Sequence, residues 1–169
     1  MTRVQSFAPV IGRNPRILIL GSMPGIASLE AVQYYAHPRN AFWPIMAELF
    51  DIDATTDYAE RIAQISRKPV VLWDTLKLCY RPGSLDSAIA RDSVEANDIP
   101  GLLQQHTQIC AVACNGATSA DYFRKLVLPE VAAIREIELL KMPSTSPANA
   151  GMNFEQKLAA WRRLLEFID

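Results

Sequence analysis

Four short apolar runs, each closed by a polar or turn-forming stretch, constrain this chain more than any other feature. Arg16–Gly21 (RILILG), Pro69–Trp73 (PVVLW), Ile109–Cys114 (ICAVAC) and Ile134–Leu140 (IREIELL) read as strands. The first three are apolar almost throughout, as strands buried on both faces require. The fourth alternates charged with apolar residues, the pattern of an edge or half-exposed strand. Helical spacing lies between and after them: Phe42, Ile45, Met46 and Leu49, then Tyr58, Ile62 and Ile65, then Ala117–Leu128. A final stripe joins Phe154, Leu158, Trp161, Leu164, Leu165 and Ile168. Strands alternating with helices predict an α/β fold, a three-layer α/β/α arrangement around a central four-stranded parallel sheet. Residues 1–169 are expected to form a single domain, since the chain is long enough for one substantial core and short for two. The connection Leu78–Asp98 is long and poorly periodic, so it reads as a functional loop or as cover for a short helix.

Composition serves mainly to exclude. No stretch approaches the roughly 20 apolar residues of a membrane span, and MTRVQSFAPVIGRNPR lacks the apolar centre of a signal peptide. A cytoplasmic location without a membrane partner is the expectation. Cys79, Cys110 and Cys114 form no CxxC pair and read as reduced thiols, so neither a disulfide framework nor a metal site is expected. A net charge of −1 supplies no global positive field. Any contact with nucleic acid must therefore be made by local basic or amide-rich loops.

Open parallel sheets bind ligands beyond the carboxyl ends of their strands. The unusual sequences sit at those ends: GSMPG, WDTLKLCYRPGS, CNGATSA and MPSTSPANAG, in strand order. In the first loop Gly21 and Gly25 permit close backbone approach or positive φ, and Pro24 stiffens the turn. Phe42 and Trp43 fit a core, whereas one of the paired tyrosines Tyr34 and Tyr35 fits stacking on a base. Asn40 has a structural rival role as a helix N-cap. Pro44, at home in a first helical turn, biases Trp43 away from helical geometry, and a helix starting beyond Asn40 weakens the capping explanation. Asn115-Gly116 taken alone reads as a turn pair. Ser144, Thr145 and Ser146 are candidate donors to phosphate, with an ordinary surface turn as the rival reading. Arg39, Lys77, Arg81 and Lys141 lie in or near these loops as possible phosphate contacts. His37 adjoins them, while His106 ends an ordinary helical segment.

Taken together, GSMPG, YYAHPRNAFW and PSTSPAN resemble the motifs of the uracil-DNA-glycosylase superfamily, and most closely its hypoxanthine-DNA glycosylase branch. The likeness touches all the strand ends and so covers most of the chain. It implies a monofunctional DNA glycosylase that flips a deaminated base out of DNA and hydrolyses its N-glycosidic bond. The implied partner is double- or single-stranded DNA, the implied state a monomer, and neither cofactor nor metal is implied. The resemblance makes Asn40 catalytic, with Asn115 assisting. It assigns Gly21, Ser22, Met23, Pro24, Gly25, Tyr35, His37 and Phe42 to the base, with Tyr35 as the stacking ring. It assigns Arg39, Ser144, Thr145, Ser146, Pro147, Ala148 and Asn149 to DNA, with Ala148 or Asn149 as the wedge that fills the gap left by the flipped nucleotide.

One departure stands out. Mismatch-specific members place an Asn third in GINPG and uracil-specific members an Asp, whereas this chain has Met23, which can neither orient a water nor accept a proton. The hypoxanthine branch shares that substitution. The chemistry permits it, because an oxocarbenium-like sugar needs a positioned water more than a strong base, and an Asn carbonyl can hold one. The small residues Gly25, Ala27 and Ser28 leave room for a purine where uracil-specific members place a blocking tyrosine. Rival readings are a glycosylase for mismatched uracil or another deaminated base, and a catalytically silent binder of damaged DNA. A nucleotide-binding module is a third, opposed by the absence of a Walker lysine after GSMPG.

Overall fold

Side-chain alternation along the strands decides the layers. The computed structural model describes residues 2–168. Two short strands come first, β1 (Arg3–Gln5) and β2 (Val10–Ile11), then β3 (Ile17–Gly21). Helices α1 (Ile26–Ala31), α2 (Phe42–Phe50) and α3 (Tyr58–Ile65) follow, then β4 (Val70–Asp74). Further on come β5 (Leu76–Tyr80), β6 (Glu95–Ala96), α4 (Ile99–Gln105) and β7 (Ala111–Asn115). The chain closes through α5 (Ala117–Tyr122), α6 (Leu128–Ala132), β8 (Glu138–Met142) and α7 (Phe154–Trp161). Ile17, Ile19, Val70, Leu72, Ala111 and Ala113 point to one face, under Phe42, Ile45 and Met46 of α2 and Leu158 and Trp161 of α7. Leu18, Leu20, Val71, Val112 and Cys114 point to the other, under Leu102 and Leu103 of α4 and Ala120 and Phe123. Period two on the strands thus feeds two cores, and both faces of the sheet are covered.

The main sheet has the order β2-β4-β3-β7-β8. β4, β3, β7 and β8 are parallel, as the apolar runs predict. The fifth strand, β2, pairs antiparallel with β4 through only two residues, too short to announce itself in the sequence. The last strand starts later than expected. Ile134 is 55% exposed, and Ile134–Ile137 form a turn and a link after α6. The charged half of IREIELL serves that turn, with Arg135 donating to the carbonyls of Leu103, Thr107 and Ile109. In the C-terminal stripe Leu158, Trp161 and Leu164 are buried, whereas Phe154 and Leu165 face solvent.

The connection Leu78–Asp98 is more ordered than its sequence suggests. β5 extends into its start and lies between β1 and β6 in a second, antiparallel sheet. Two single 3-10 turns, Asp86–Ala88 and Arg91–Ser93, join β5 to β6. LKLCY buries Leu76 and Cys79 while Lys77 and Tyr80 face out. The small sheet and the turns after it lie against the first loop of the main sheet.

Candidate active site

Gly21, Asp74, Asn115 and Met142 end the four parallel strands, and all line one cavity of about 840 Å³. Its wall takes Ser22–Ser28 from the first loop, Tyr34, Tyr35, His37 and Asn40 from the stretch before α2, and Ser84–Asp86 from the turn after β5. Ala117, Thr118, Lys141 and Pro143–Asn149 complete it. The geometry gathers the residues expected at the site except Arg39, Phe42, Lys77 and Arg81.

Phe42 is fully buried and is not a wall residue. It lies behind Tyr35, ring stacked on ring at 3.8 Å between centroids and 18° between planes. Phe42 thus supports the aromatic wall from behind, a correction to the expectation of direct contact. Tyr35 has φ 55°, a left-handed conformation unusual outside glycine, held while neighbouring Tyr34 anchors the loop. Tyr34 is buried, donates its hydroxyl to Ala8 O at 2.8 Å, and receives the Nε1–H of Trp43 on its carbonyl at 3.0 Å. Both tyrosines line the cavity, but Tyr34 is tied into the scaffold whereas Tyr35 is backed by the Phe42 ring.

Asn40 precedes α2, and its Oδ1 accepts the Phe42 amide at 2.9 Å. The side chain therefore does help to start the helix. A carbonyl oxygen has two lone pairs, so this bond leaves one acceptor site on Oδ1, and both Nδ2 protons, for a ligand. His37 Nδ1 accepts the Arg39 amide at 3.1 Å, which leaves Nε2 as the group for other partners. Arg39 itself is exposed.

Asn115 has a different task. Its Oδ1 accepts the Thr145 amide at 2.9 Å and its Nδ2 donates to Thr145 Oγ1 at 3.0 Å. Thr145 is buried to 1% exposure, and its carbonyl accepts the Ala41 amide at 2.9 Å. Thr145 is therefore the hub joining β7, the last loop and the start of α2, and it is withdrawn from phosphate. Ser144 Oγ accepts the Ser146 amide and Ser146 Oγ accepts the Ala148 amide, leaving both hydroxyl protons to donate. Asn149 folds back onto Ser144 O at 3.1 Å, so Ala148, exposed, is the residue at the tip. From α7, Lys157 Nζ holds Ser146 O at 3.2 Å, and from its last residue Trp161 Nε1 holds Pro143 O at 2.9 Å. Gly116 completes this packing: φ is 97°, and a Cβ there would lie 3.1 Å from Ser144 Cβ.

The first loop is clamped by the segment after β5. Arg81, 1% exposed, donates from Nη2 to Pro24 O at 2.6 Å and from Nε to Gly83 O at 2.8 Å. Ser22 Oγ donates to Asp86 Oδ1 at 2.8 Å, and Ser84 Oγ accepts the Ile26 amide at 2.8 Å. Arg81 is consequently a structural clamp, unavailable to phosphate. Lys77 is paired with Glu95 at 3.8 Å on the small sheet, outside the cavity wall. Met23, 7% exposed, lines the cavity and packs with Val4, Leu76, Cys79 and Ile89.

Asp74 is the wall residue that sequence reasoning missed. It closes β4 at 4% exposure, and its Oδ2 has no hydrogen-bond partner among the described residues. A Cβ on Gly21 would lie 2.4 Å from Asp74 Oδ1 and 3.3 Å from the Tyr35 hydroxyl, so glycine is required there by close approach. Burial, with the Asp86 charge adding and Arg81 opposing, lifts the Asp74 carboxyl to about 7. Burial and then Asp74 push the Tyr35 hydroxyl above its ordinary range. The available signal was position: a carboxylate closing an apolar strand at the ligand-binding end of the sheet.

Comparison with known proteins fits this geometry. The model of the family described as "Uracil DNA glycosylase superfamily" matches residues 8–165. A protein named hypoxanthine DNA glycosylase from Methanosarcina barkeri is 36% identical over 119 residues, covering 70% of this chain and 74% of the relative. One of the same name from Methanosarcina acetivorans is 31% identical over the same shares. The solution structure of a candidate uracil DNA glycosylase from Methanosarcina acetivorans superimposes with TM-score 0.77 at 27% identity, covering 97% of this chain and 99% of that one. A family match spanning nearly the whole chain, with two relatives at 31% and 36% identity, is decisive: this protein belongs to the uracil DNA glycosylase superfamily.

Proposed function

We propose that the chain acts, as one domain and one copy, as a monofunctional DNA glycosylase that releases hypoxanthine from deoxyinosine. The single observation that carries this reading is the convergence of Tyr35, Asn40 and Asn115 on one cavity at the carboxyl edge of the sheet. The two relatives named hypoxanthine DNA glycosylase support the choice of base. In this reading the deaminated nucleotide rotates out of the stack and its base lies on the Tyr35 ring. The free lone pair of Asn40 Oδ1 holds the attacking water against the sugar. Asn115 acts through Thr145, setting the last loop. Ser144 and Ser146 donate to phosphate oxygens, Pro147 stiffens the tip, and Ala148 is the shallow wedge. Ser22–Gly25 line the cavity, and Gly25, Ala27 and Ser28 leave space for the second ring of a purine.

Duplexes carrying deoxyinosine, deoxyuridine, deoxyxanthosine or unmodified deoxyadenosine, followed by alkaline cleavage of abasic sites, test this directly. Deoxyinosine should react fastest and deoxyadenosine not at all. Asn40→Ala should cut base release at least about 100-fold, the scale of losing a group that positions a reactant, with a fall in Tm of only about 2–4 °C from the lost bond to the Phe42 amide. Fast uracil release with inert deoxyinosine would replace the substrate but keep the chemistry. No cleavage of any duplex would leave a damaged-DNA binder.

A further inference from the structure

The mechanism above leaves one buried carboxyl, Asp74, unused. Asp74 sits in the cavity wall beside Gly21 and Tyr35, with an oxygen that no group among the described residues satisfies. Leaving a buried carboxyl unpaired costs folding free energy, and such an expense in a cleft marks functional groups. The Asn97 side chain gives its Nδ2–H groups to Ser6 Oγ and to the main-chain carbonyls of Asp74 and Leu76.

We propose that Asp74 is the general acid of this site, protonating the departing purine at N7 as the glycosidic bond breaks. This rests on the reading of the chain as a purine-releasing glycosylase. The C1′–N9 bond breaks with its electron pair passing to the purine, and the Asp74 proton passes to N7 of the same five-membered ring. Hypoxanthine then leaves as a neutral molecule and Asp74 remains as carboxylate. The water held by Asn40 forms its bond to C1′ and gives its proton to solvent. Asp74 regains a proton from solvent once the base has gone. Uracil has no N7, so this acid serves purines specifically.

The surroundings favour a protonated carboxyl at neutral pH. Asp86 faces it from the turn after β5 and raises its affinity for a proton, while Arg81 at the end of β5 opposes. Tyr34 and Tyr35, from the stretch before α2, are held neutral by burial. Asn115 on β7 and Asn97 after β6 are neutral. Burial outweighs the one nearby cation, giving a group that titrates near 7, where general acids are most effective.

Single-turnover release of base from a deoxyinosine duplex, from pH 5.5 to 9, is the test. The wild-type rate should be level in acid and fall about tenfold per pH unit above the Asp74 titration. Asp74→Asn should be about 100-fold slower at pH 6 and lack the falling limb, and Asp74→Glu should restore part of the rate together with that limb. On 7-deaza-deoxyinosine the wild-type protein should be no faster than Asp74→Asn. An Asp74→Asn rate within threefold of wild type at pH 6, a limb that survives the substitution, or a wild-type advantage retained on the 7-deaza base would each overturn the proposal. Failure of the wild-type protein to release hypoxanthine at any pH would instead overturn the proposed function.

Discussion

A carboxyl that titrates near 7 in the fold and near 4 in the unfolded chain binds its proton more tightly when folded. Below pH 4 both states carry the proton and Asp74 is neutral in its effect. As pH rises from about 4 to about 7 the unfolded chain loses the proton first, so folding stability falls, and above 7 the loss is complete. The expected size is up to roughly 4 kcal/mol. Asp74→Asn should therefore be more stable than wild type at pH 8 and equal to it near pH 4, in chemical unfolding at each pH. A variant that gains stability while losing activity marks a residue kept for function. Asp74 was missed in the sequence because one Asp after an apolar strand also looks like the start of a loop; its meaning depends on Gly21 and Tyr35, distant in sequence, meeting it. Tyr35 and Asn40 were legible because YYAHPRNAFW carries them as a unit. That Asn40 also starts a helix, and that Phe42 stands behind Tyr35, needed coordinates.

At the scale of elements, the last loop is held by side chains from outside it as well as by its own serine turns. Asn115 from β7, Lys157 from α7 and Trp161 at its end each hold a backbone group of residues 143–146. Asn115→Ala should raise KM for DNA more than it lowers kcat, because it frees the loop rather than the water. A loss confined to kcat, equal to that of Asn40→Ala, would instead place Asn115 at the reacting atoms. The parallel strands were readable because burial on both faces demands apolar runs. The small antiparallel sheet was not, since its pairing depends on β1, β5 and β6, separated along the chain and individually short. IREIELL misled for a physical reason: Arg135 and Glu136 belong to a turn, and the strand takes only the second half.

For the molecule as a whole, 17 basic residues against 18 acidic leave DNA binding to the loops at one edge. Log affinity should fall with log salt on a shallow slope, of about −2 to −4, as a handful of phosphate contacts requires. Substituting Ser144 and Ser146 together by Ala should weaken binding to all sequences alike, measured by fluorescence anisotropy on undamaged duplex; an unchanged affinity would remove the last loop from the DNA surface. The tethering of that loop by α7 carries a further consequence, one of timing. Residues 21–40 and 74 emerge early from the ribosome, yet they face an unfinished wall until 141–149 are made and Lys157 and Trp161 have followed to hold them. A nascent chain thus lacks a closed site until residues 154–161 have been made, and the capacity to attack a glycosidic bond arrives abruptly, with α7.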